Sequence, residues 1–406
     1  MTDWRVPGFT STGSKRPDVL FGAAPGESLA LPRRFARASG CRVWDENGRA
    51  YVDYVMALGA VALGYAHPEV DRAATDAIAH GVVGPLAPVI EEELAEALCR
   101  AIPWIEAVRF LKSGAEAVAA AVRLARVATG RERVLGCGYH GWLDWCQGPG
   151  TPGVPASVRS LHAVLPFNDA ERTRAMIRAE RDHLAVVVVE PVIHAEPTRE
   201  WLEVLRSETA RAGAVLVFDE IKTAFRLAIG GAGERYGVTP DLVVLGKALA
   251  NGYPLAAVGG RADVMRRVTE TWISSTLATE AVSLAAARAT LGFMQRERVP
   301  ARLQATGINL LAGFRRLAEA HPALVTAVRG IPEMCFLEFA SEDVSAELAR
   351  GAAERGVLFK RTAYNFVSLA HEAPDIEGTL TVLDETLQAL KTRRRSPPCG
   401  PPDLTV

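Results

Sequence analysis

Two short apolar runs constrain this chain more than any other feature. They lie in the stretch from Ala214 to Gly260, AVLVFDEIKTAFRLAIGGAGERYGVTPDLVVLGKALANGYPLAAVGG. The runs AVLVF and LVVLG each stop on charge, at Asp219-Glu220 after the first and at Lys247 after the second. Four to six apolar residues bounded by turn signals read as buried strands of a parallel sheet, covered on both faces. Ligands of open α/β sheets sit beyond the carboxyl ends of the strands, so Asp219 and Lys247 are expected to face one crevice. A lysine after an apolar run is ordinarily a solvated strand end. Here it sits in GKALANGYPLAA, apolar and glycine-rich on both sides.

A buried lysine has a lowered pKa and becomes a nucleophilic amine able to form Schiff bases. A carboxylate in the same crevice holds a pyridinium nitrogen protonated, which makes pyridoxal 5'-phosphate an electron sink. Through DEIKTAFRLAIGGAGERYGVTPDL and LGKALANGYPLAAVGGRADVM the chain resembles the class III, fold type I pyridoxal-phosphate aminotransferases, and within them the glutamate-1-semialdehyde aminomutase branch. The resemblance implies Lys247 as the Schiff-base lysine and Asp219 as partner of the ring nitrogen.

Composition excludes several other classes. The 406 residues are 49% hydrophobic, ample for a large core and more than one domain. A formal net charge of −1 gives no electrostatic case for nucleic acid or an anionic membrane. Six scattered cysteines (Cys41, Cys99, Cys137, Cys146, Cys335, Cys399) form no C-x-x-C pair, which argues against a zinc site or disulfide framework and fits a reducing cytoplasm. No apolar run is long enough to span a membrane, and MTDWRVPGFTSTGSKRPD lacks a signal-type apolar core.

In chain order, residues 1–20 read as a loose arm. Residues 21–60 read as the first part of a small domain, with Asn47-Gly48 turning a hairpin in GCRVWDENGRAYVDYVMALG. Residues 61–298 form the large cofactor domain. Within it AVRFLK is a strand and AVAAAVRLARVATG a helix stopped by Gly130, so Ser113-Gly114-Ala115 stands at a helix N-terminus. That is an anion site; it is also where a plain serine cap belongs. RFLKSGAEAVAAAVRLARVATGR resembles the family segment whose turn cradles the cofactor phosphate, with Ala115 where the family has threonine. GCGYHG, residues 136–141, fits G-x-G-x-x-G but leads into a loop rather than a helix, so the dinucleotide reading is rejected. The family counterpart implies that Tyr139 lies on the pyridine face and that His140-Gly141 shapes the loop.

HLAVVVVEPVIH is a buried strand ending at Glu190, which the resemblance makes an orienting residue. His194-Ala195 replaces the family's Gly-Asn, leaving His194 as the candidate substitute for that asparagine. Ile221 corresponds to the aliphatic residue on the other ring face. Ser275-Thr276-Leu277 resembles the family's G-T-L, whose threonine reaches the neighbouring subunit's phosphate; it implies a homodimer with shared active sites. Residues 299–391, with strands MCFLEF and GVLFKR, look like the C-terminal part of the small domain, and 392–406 reads as a disordered tail. His67 is read as structural.

The substrate half departs from the family. FGAAPGESLALPRR has no counterpart of the aminomutase N-S-P-V-R, Ala57-Leu58-Gly59 replaces S-W-G, and LFKRTAYNFVSLAH lacks P-S-x-F-E. Arg33, Arg226 and Arg361 are candidates to replace the missing carboxylate-binding arginine; their plainer readings are a strand-edge surface residue, a structural residue and a surface strand residue. The expectation is transamination between a small-molecule amino donor and a carbonyl acceptor such as a ketosugar or aminocyclitol. The alternative is an isomerase, aminomutase or epimerase, on the same scaffold; a non-catalytic pyridoxal-phosphate-binding protein is the third reading.

Overall fold

The computed structural model describes residues 5–22 and 31–395. These fall into two compact units. One holds the chain up to Val55, Thr306–Val367 and the chain from His371; the other holds Met56–Ala305 and Ser368–Ala370. The division at 305/306 lies inside one continuous helix, Val299–Ala320.

The second unit is built on a seven-stranded sheet. Its strands run in the order Ala107–Leu111, Ala256–Gly260, Leu242–Leu245, Val215–Asp219, Leu184–Val189, Arg133–Cys137, His162–Val164. The last five pair in parallel, and Ala256–Gly260 runs antiparallel to both its neighbours. The α/β class expected from the apolar runs is therefore the observed one. Why the runs are apolar without alternation is visible in the packing. Val215 and Val217 join a core with the helix Gly114–Thr129, whereas Leu216 and Phe218 join another with Trp201, Leu202 and Leu205 of the helix Arg199–Arg211. Both faces are covered there, so every position of Val215–Asp219 is buried. Gly130 ends its helix in the left-handed conformation, as its sequence position requires.

In the first unit, Phe35–Ser39, Arg42–Asp45 and Ala50–Asp53 form an antiparallel meander, with Gly48 turning the expected hairpin. Val357–Leu358 adds to it in parallel; only these two residues of GVLFKR are strand. A second sheet holds Val325–Ile331, Met334–Phe339 and Asn365–Phe366. Of the expected loose arm, residues 1–4 lie outside the described residues, and its last part is ordered. Residues 17–21 form a helical turn, and the guanidinium of Arg361 donates to the carbonyls of Asp18 and Val19 at 3.2 and 3.1 Å. Arg361 is thus buried rather than on the surface. At the other end the helix Ala373–Arg395 continues through four residues expected in the tail; residues 396–406 lie outside the described residues. No helix among the described residues is long and apolar enough to cross a membrane.

Trp201 is fully buried, and its indole N–H donates to the Thr173 hydroxyl at 3.0 Å. It packs in the core cluster that contains Phe218, next to Asp219. Trp201→Ala is expected to lower unfolding stability by about 3–5 kcal/mol, the usual range for a large core truncation. Urea denaturation of the variant checks this.

Candidate active site

Strand register sets the site. Phe218 pairs with Val243 and Asp219 with Val244, so Asp219 ends its strand beside the strand that leads into Lys247. Asp219 is 3% exposed and is the last residue of its strand. Its Oδ2 accepts from His140 Nδ1 at 2.9 Å and its Oδ1 from the amide of Ile221 at 3.3 Å. The neighbouring carboxylate faces elsewhere. Glu220 accepts from the amides of Ala232 and Gly233 at 2.9 and 2.8 Å and bonds the Thr223 hydroxyl. Burial pushes its pKa up to about 7, against the opposing pull of those three bonds.

Three lysines compete for the role of nucleophile, and the structure separates them. Lys112 is committed to Glu280 at 2.6 Å and to the Pro254 carbonyl at 3.1 Å. Lys222 is paired with Glu190 at 2.9 Å. Lys247 has no hydrogen bond or ion pair among the described residues. Solvent reaches part of its side chain, but crowding by protein dominates at the amine. That loss of hydration lowers its pKa to about 8; Asp219 and Glu190 oppose the shift, and the cations Lys222 and Arg226 reinforce it. Lys247 also holds a left-handed backbone, φ 47°, which costs energy at a non-glycine residue and is the kind of strain found at functional sites.

The turn at 113–115 shows both of its expected characters. Ser113 caps the helix Gly114–Thr129 in a reciprocal box with Glu116, so its own amide donates to Glu116 Oε2 at 2.8 Å. No acceptor for the amides of Gly114 and Ala115 is found among the described residues. These two donors stand at the positive end of a 16-residue helix, an arrangement suited to an anion. A Cβ on Gly114 would lie 2.5 Å from Ile221 Cδ1, so the aliphatic side chain packs directly on the turn.

In residues 136–141 the glycines serve packing. Gly138, at φ 113°, passes so close to Glu190 that a Cβ would lie 2.5 Å from its Oε2. Glu190 in turn accepts from the Tyr139 amide at 2.9 Å, which fixes the loop while leaving the Tyr139 ring 72% exposed and available to stack. His140 does more than shape the loop: it is 4% exposed and holds Asp219. Sequence reading missed this pairing, because the residues are far apart in the chain and His140 sits in a stretch read as a loop.

Other candidates fall outside this cluster. His194 is exposed and packs edge-on against Phe167 at 5.0 Å. Thr276 is exposed on its own chain. His67 packs against Phe293 at 4.4 Å, as a structural residue does. Arg33 is exposed beside the Phe9 ring, and Arg361 is committed within the first unit. Arg226 is fully buried, donates to the Gly59 carbonyl at 3.2 Å, and acts electrostatically on Lys247. That carbonyl closes a turn in which Met56, Ala57 and Leu58 all have positive φ. Most of FGAAPGESLALPRR, residues 23–30, lies outside the described residues.

A family model described as aminotransferase class-III matches residues 23–390. Glutamate-1-semialdehyde 2,1-aminomutase of Neisseria meningitidis serogroup B is 34% identical over 421 aligned residues, covering 95% of this chain and 96% of that protein. The protein of the same name from Methanothermobacter thermautotrophicus is 35% identical over 407 residues, covering 90% of this chain and 96% of that one. Among solved structures, the PLP internal aldimine form of the Sphingopyxis sp. MTA144 FumI protein superposes with a TM-score of 0.85 at 28% identity, over 95% of this chain and 99% of that one. The fold type I architecture expected from the sequence is thus the fold of this chain.

The low pKa of Lys247 has a measurable consequence. Below pH 8 the folded chain keeps the amine charged at a cost in hydration. Between about 8 and the ordinary 10.5 the unfolded chain binds the proton that the folded chain has released, so stability rises with pH across that window. Unfolding midpoints measured across the window are expected to show this rise, and Lys247→Met to remove it.

Proposed function

The chain belongs to the class-III aminotransferase family, and from that premise we propose that it is a pyridoxal-phosphate-dependent aminomutase, shifting an amino group within a small amino aldehyde of the glutamate-1-semialdehyde class. The comparisons favour this isomerase reading over the transamination expected from the rewritten substrate residues, because full-length relatives at 34–35% identity carry the aminomutase name. The observation that carries the reading in the molecule is Lys247, the uncommitted lysine of the three, with its amine at a pKa of about 8 and a buried carboxylate close enough to act on it.

The residues present fit the cofactor. The amides of Gly114 and Ala115 suit a phosphate, Ile221 and the exposed Tyr139 ring suit the two faces of a pyridine, and Asp219 suits its ring N–H. When bound, pyridoxal phosphate supplies an electron sink for charge developing at a substrate carbon. The chain does the rest. Asp219, fixed by its contact with His140 Nδ1, would hold a proton on the ring nitrogen. Glu190 fixes the loop that carries Tyr139, and Lys222 balances its charge. Lys247 Nζ anchors the cofactor and, when released, takes and returns the migrating proton. At neutral pH roughly a tenth of such amines are unprotonated, against about one in three thousand for an ordinary lysine.

We infer further that the protein works in the cytoplasm as a homodimer. Trp272 and Leu86 are more than 80% exposed, and Trp142 and Leu277 are also exposed. A second copy covering these residues is also what would give the exposed Thr276 a phosphate to bind. Sedimentation analysis is expected to show the dimer.

A second reading, transamination between separate donor and acceptor, is favoured by one observation: Ala57-Leu58-Gly59 stands where relatives of the resembled branch carry S-W-G. One experiment separates the two. Purified holoenzyme given glutamate-1-semialdehyde alone is expected to form 5-aminolevulinate. Failure to do so, with pyridoxamine-loaded protein regaining aldehyde absorbance on a panel of ketones, would overturn the isomerase reading. Borohydride is expected to fix the cofactor on Lys247, read by mass spectrometry; an adduct on Lys112 or Lys222 would contradict the assignment. Asp219→Asn is expected to keep the fold and lower kcat by about 10²–10³-fold, as loss of a preorganised electrostatic contact does.

A further inference from the structure

Behind Asp219 lies a group of ring nitrogens that the reading above does not use. His140 spends Nδ1 on Asp219, and its buried Nε2 has no partner among the described residues. The same is true of Nε2 of His162 and of the Trp145 indole nitrogen. The three rings are neighbours: Trp145 stacks with His140 at 6.1 Å between centroids and meets His162 edge-on at 6.0 Å. His162 starts the edge strand His162–Val164, paired with Arg133–Cys137. A Cβ on Gly136 would lie 2.5 Å from His162 Nε2 and 3.6 Å from His140 Cδ2. Both imidazoles border Gly136, and a side chain there would strike His162.

Buried polar atoms are rarely left unpaired, and an internal water typically makes about three hydrogen bonds to such groups. A neutral imidazole carries one donor and one acceptor. If His140 donates from Nδ1 to the Asp219 carboxylate, its Nε2 is an acceptor. His162 is held neutral by burial, reinforced by His140 and by Arg133, which lower its pKa to about 4, so it too has an acceptor nitrogen to offer. The Trp145 N–H is a donor. Two acceptors and one donor match the two protons and a lone pair of one water.

We propose that His162 is a positioning residue for the reaction: a single internal water donates to Nε2 of His140 and Nε2 of His162, accepts from Trp145 Nε1–H, and thereby locks His140 in the tautomer whose Nδ1–H holds Asp219. Without the lock, the Nε2–H tautomer of His140 turns a lone pair toward the carboxylate, and Asp219 loses the donor that orients it. The proposal rests on Asp219 facing the cofactor, but the lock itself exists in the cofactor-free protein.

The test uses full-length protein with ¹⁵N-labelled histidine, cofactor-free and loaded. Long-range proton–nitrogen spectra of the wild type are expected to show His140 protonated at Nδ1 and bare at Nε2. His162→Phe is expected to mix the tautomers and to lower kcat by about tenfold with KM within about twofold, the size of effect seen when a ligand's supporting partner is removed. His162→Gln, whose amide reaches the same water, is expected to restore both readouts. Folded His162→Phe with wild-type His140 signals would overturn the proposal, as would an imidazolium at His140 in the wild type or a loss that Gln fails to recover. If His162→Phe does not fold, a high-resolution crystal structure of the wild type decides: ordered water bonded to both Nε2 atoms supports the lock, and its absence there overturns it. Failure of the wild type to bind cofactor would sink the functional reading alone, since the cofactor-free spectra report the lock independently.

Discussion

The parallel pairing of Val215–Asp219 with Leu242–Leu245 is the constraint on which the site depends. It brings the end of one strand, Asp219, beside the end of the other, from which Gly246 leads to Lys247. A slip of one residue would turn each side chain to the opposite face of the sheet. The slip is resisted because the two faces bury different partners: Val217 belongs with the helix Gly114–Thr129, and Phe218 with Trp201. The hydrophobic effect thus fixes a register that in turn fixes the electrostatics between a carboxylate and an amine.

That the two runs are buried strands whose ends face one crevice was legible in the sequence, because it follows from local apolar runs and the charges that end them; their pairing and register were not. The helix beginning at Ser113 was also legible, since its cap and stop signals both lie within a few residues of it. The supporting contacts were not legible. His140 finds Asp219 across 79 residues, Glu190 finds the Tyr139 amide across 51, and Arg361 finds the Val19 carbonyl across 342. Each depends on where two loops or chain ends arrive in space, which no short window of residues specifies. The arm was read as loose for the same reason: PDVLF is too short to signal a helix, and its anchor is an arginine near the other end of the chain.

Several strained backbone positions in the second unit are linked to the same chemistry. Lys247, Met56, Ala57, Leu58 and Phe225 all have positive φ without being glycine. A left-handed residue of this kind costs roughly 1–2 kcal/mol, and a surrounding structure must impose it. Here the buried guanidinium of Arg226, next to Phe225, holds the carbonyl of Gly59 that closes the Met56–Leu58 turn. One buried cation therefore ties two strained segments together while its charge bears on Lys247.

The charges around Lys247 explain why its amine is poised rather than simply neutral. Burial alone removes hydration from the ammonium and would drive the pKa down further; Asp219 and Glu190 pull it back, and Lys222 and Arg226 push it down again. Glu190 is largely cancelled by its pairing with Lys222, and Glu220 is turned to the amides of Ala232 and Gly233, its pKa raised by burial to about 7. Asp219 is the carboxylate that opposes the shift most, and it is hydrogen-bonded to His140. His140, which holds that carboxylate, therefore bears on Lys247 only through Asp219.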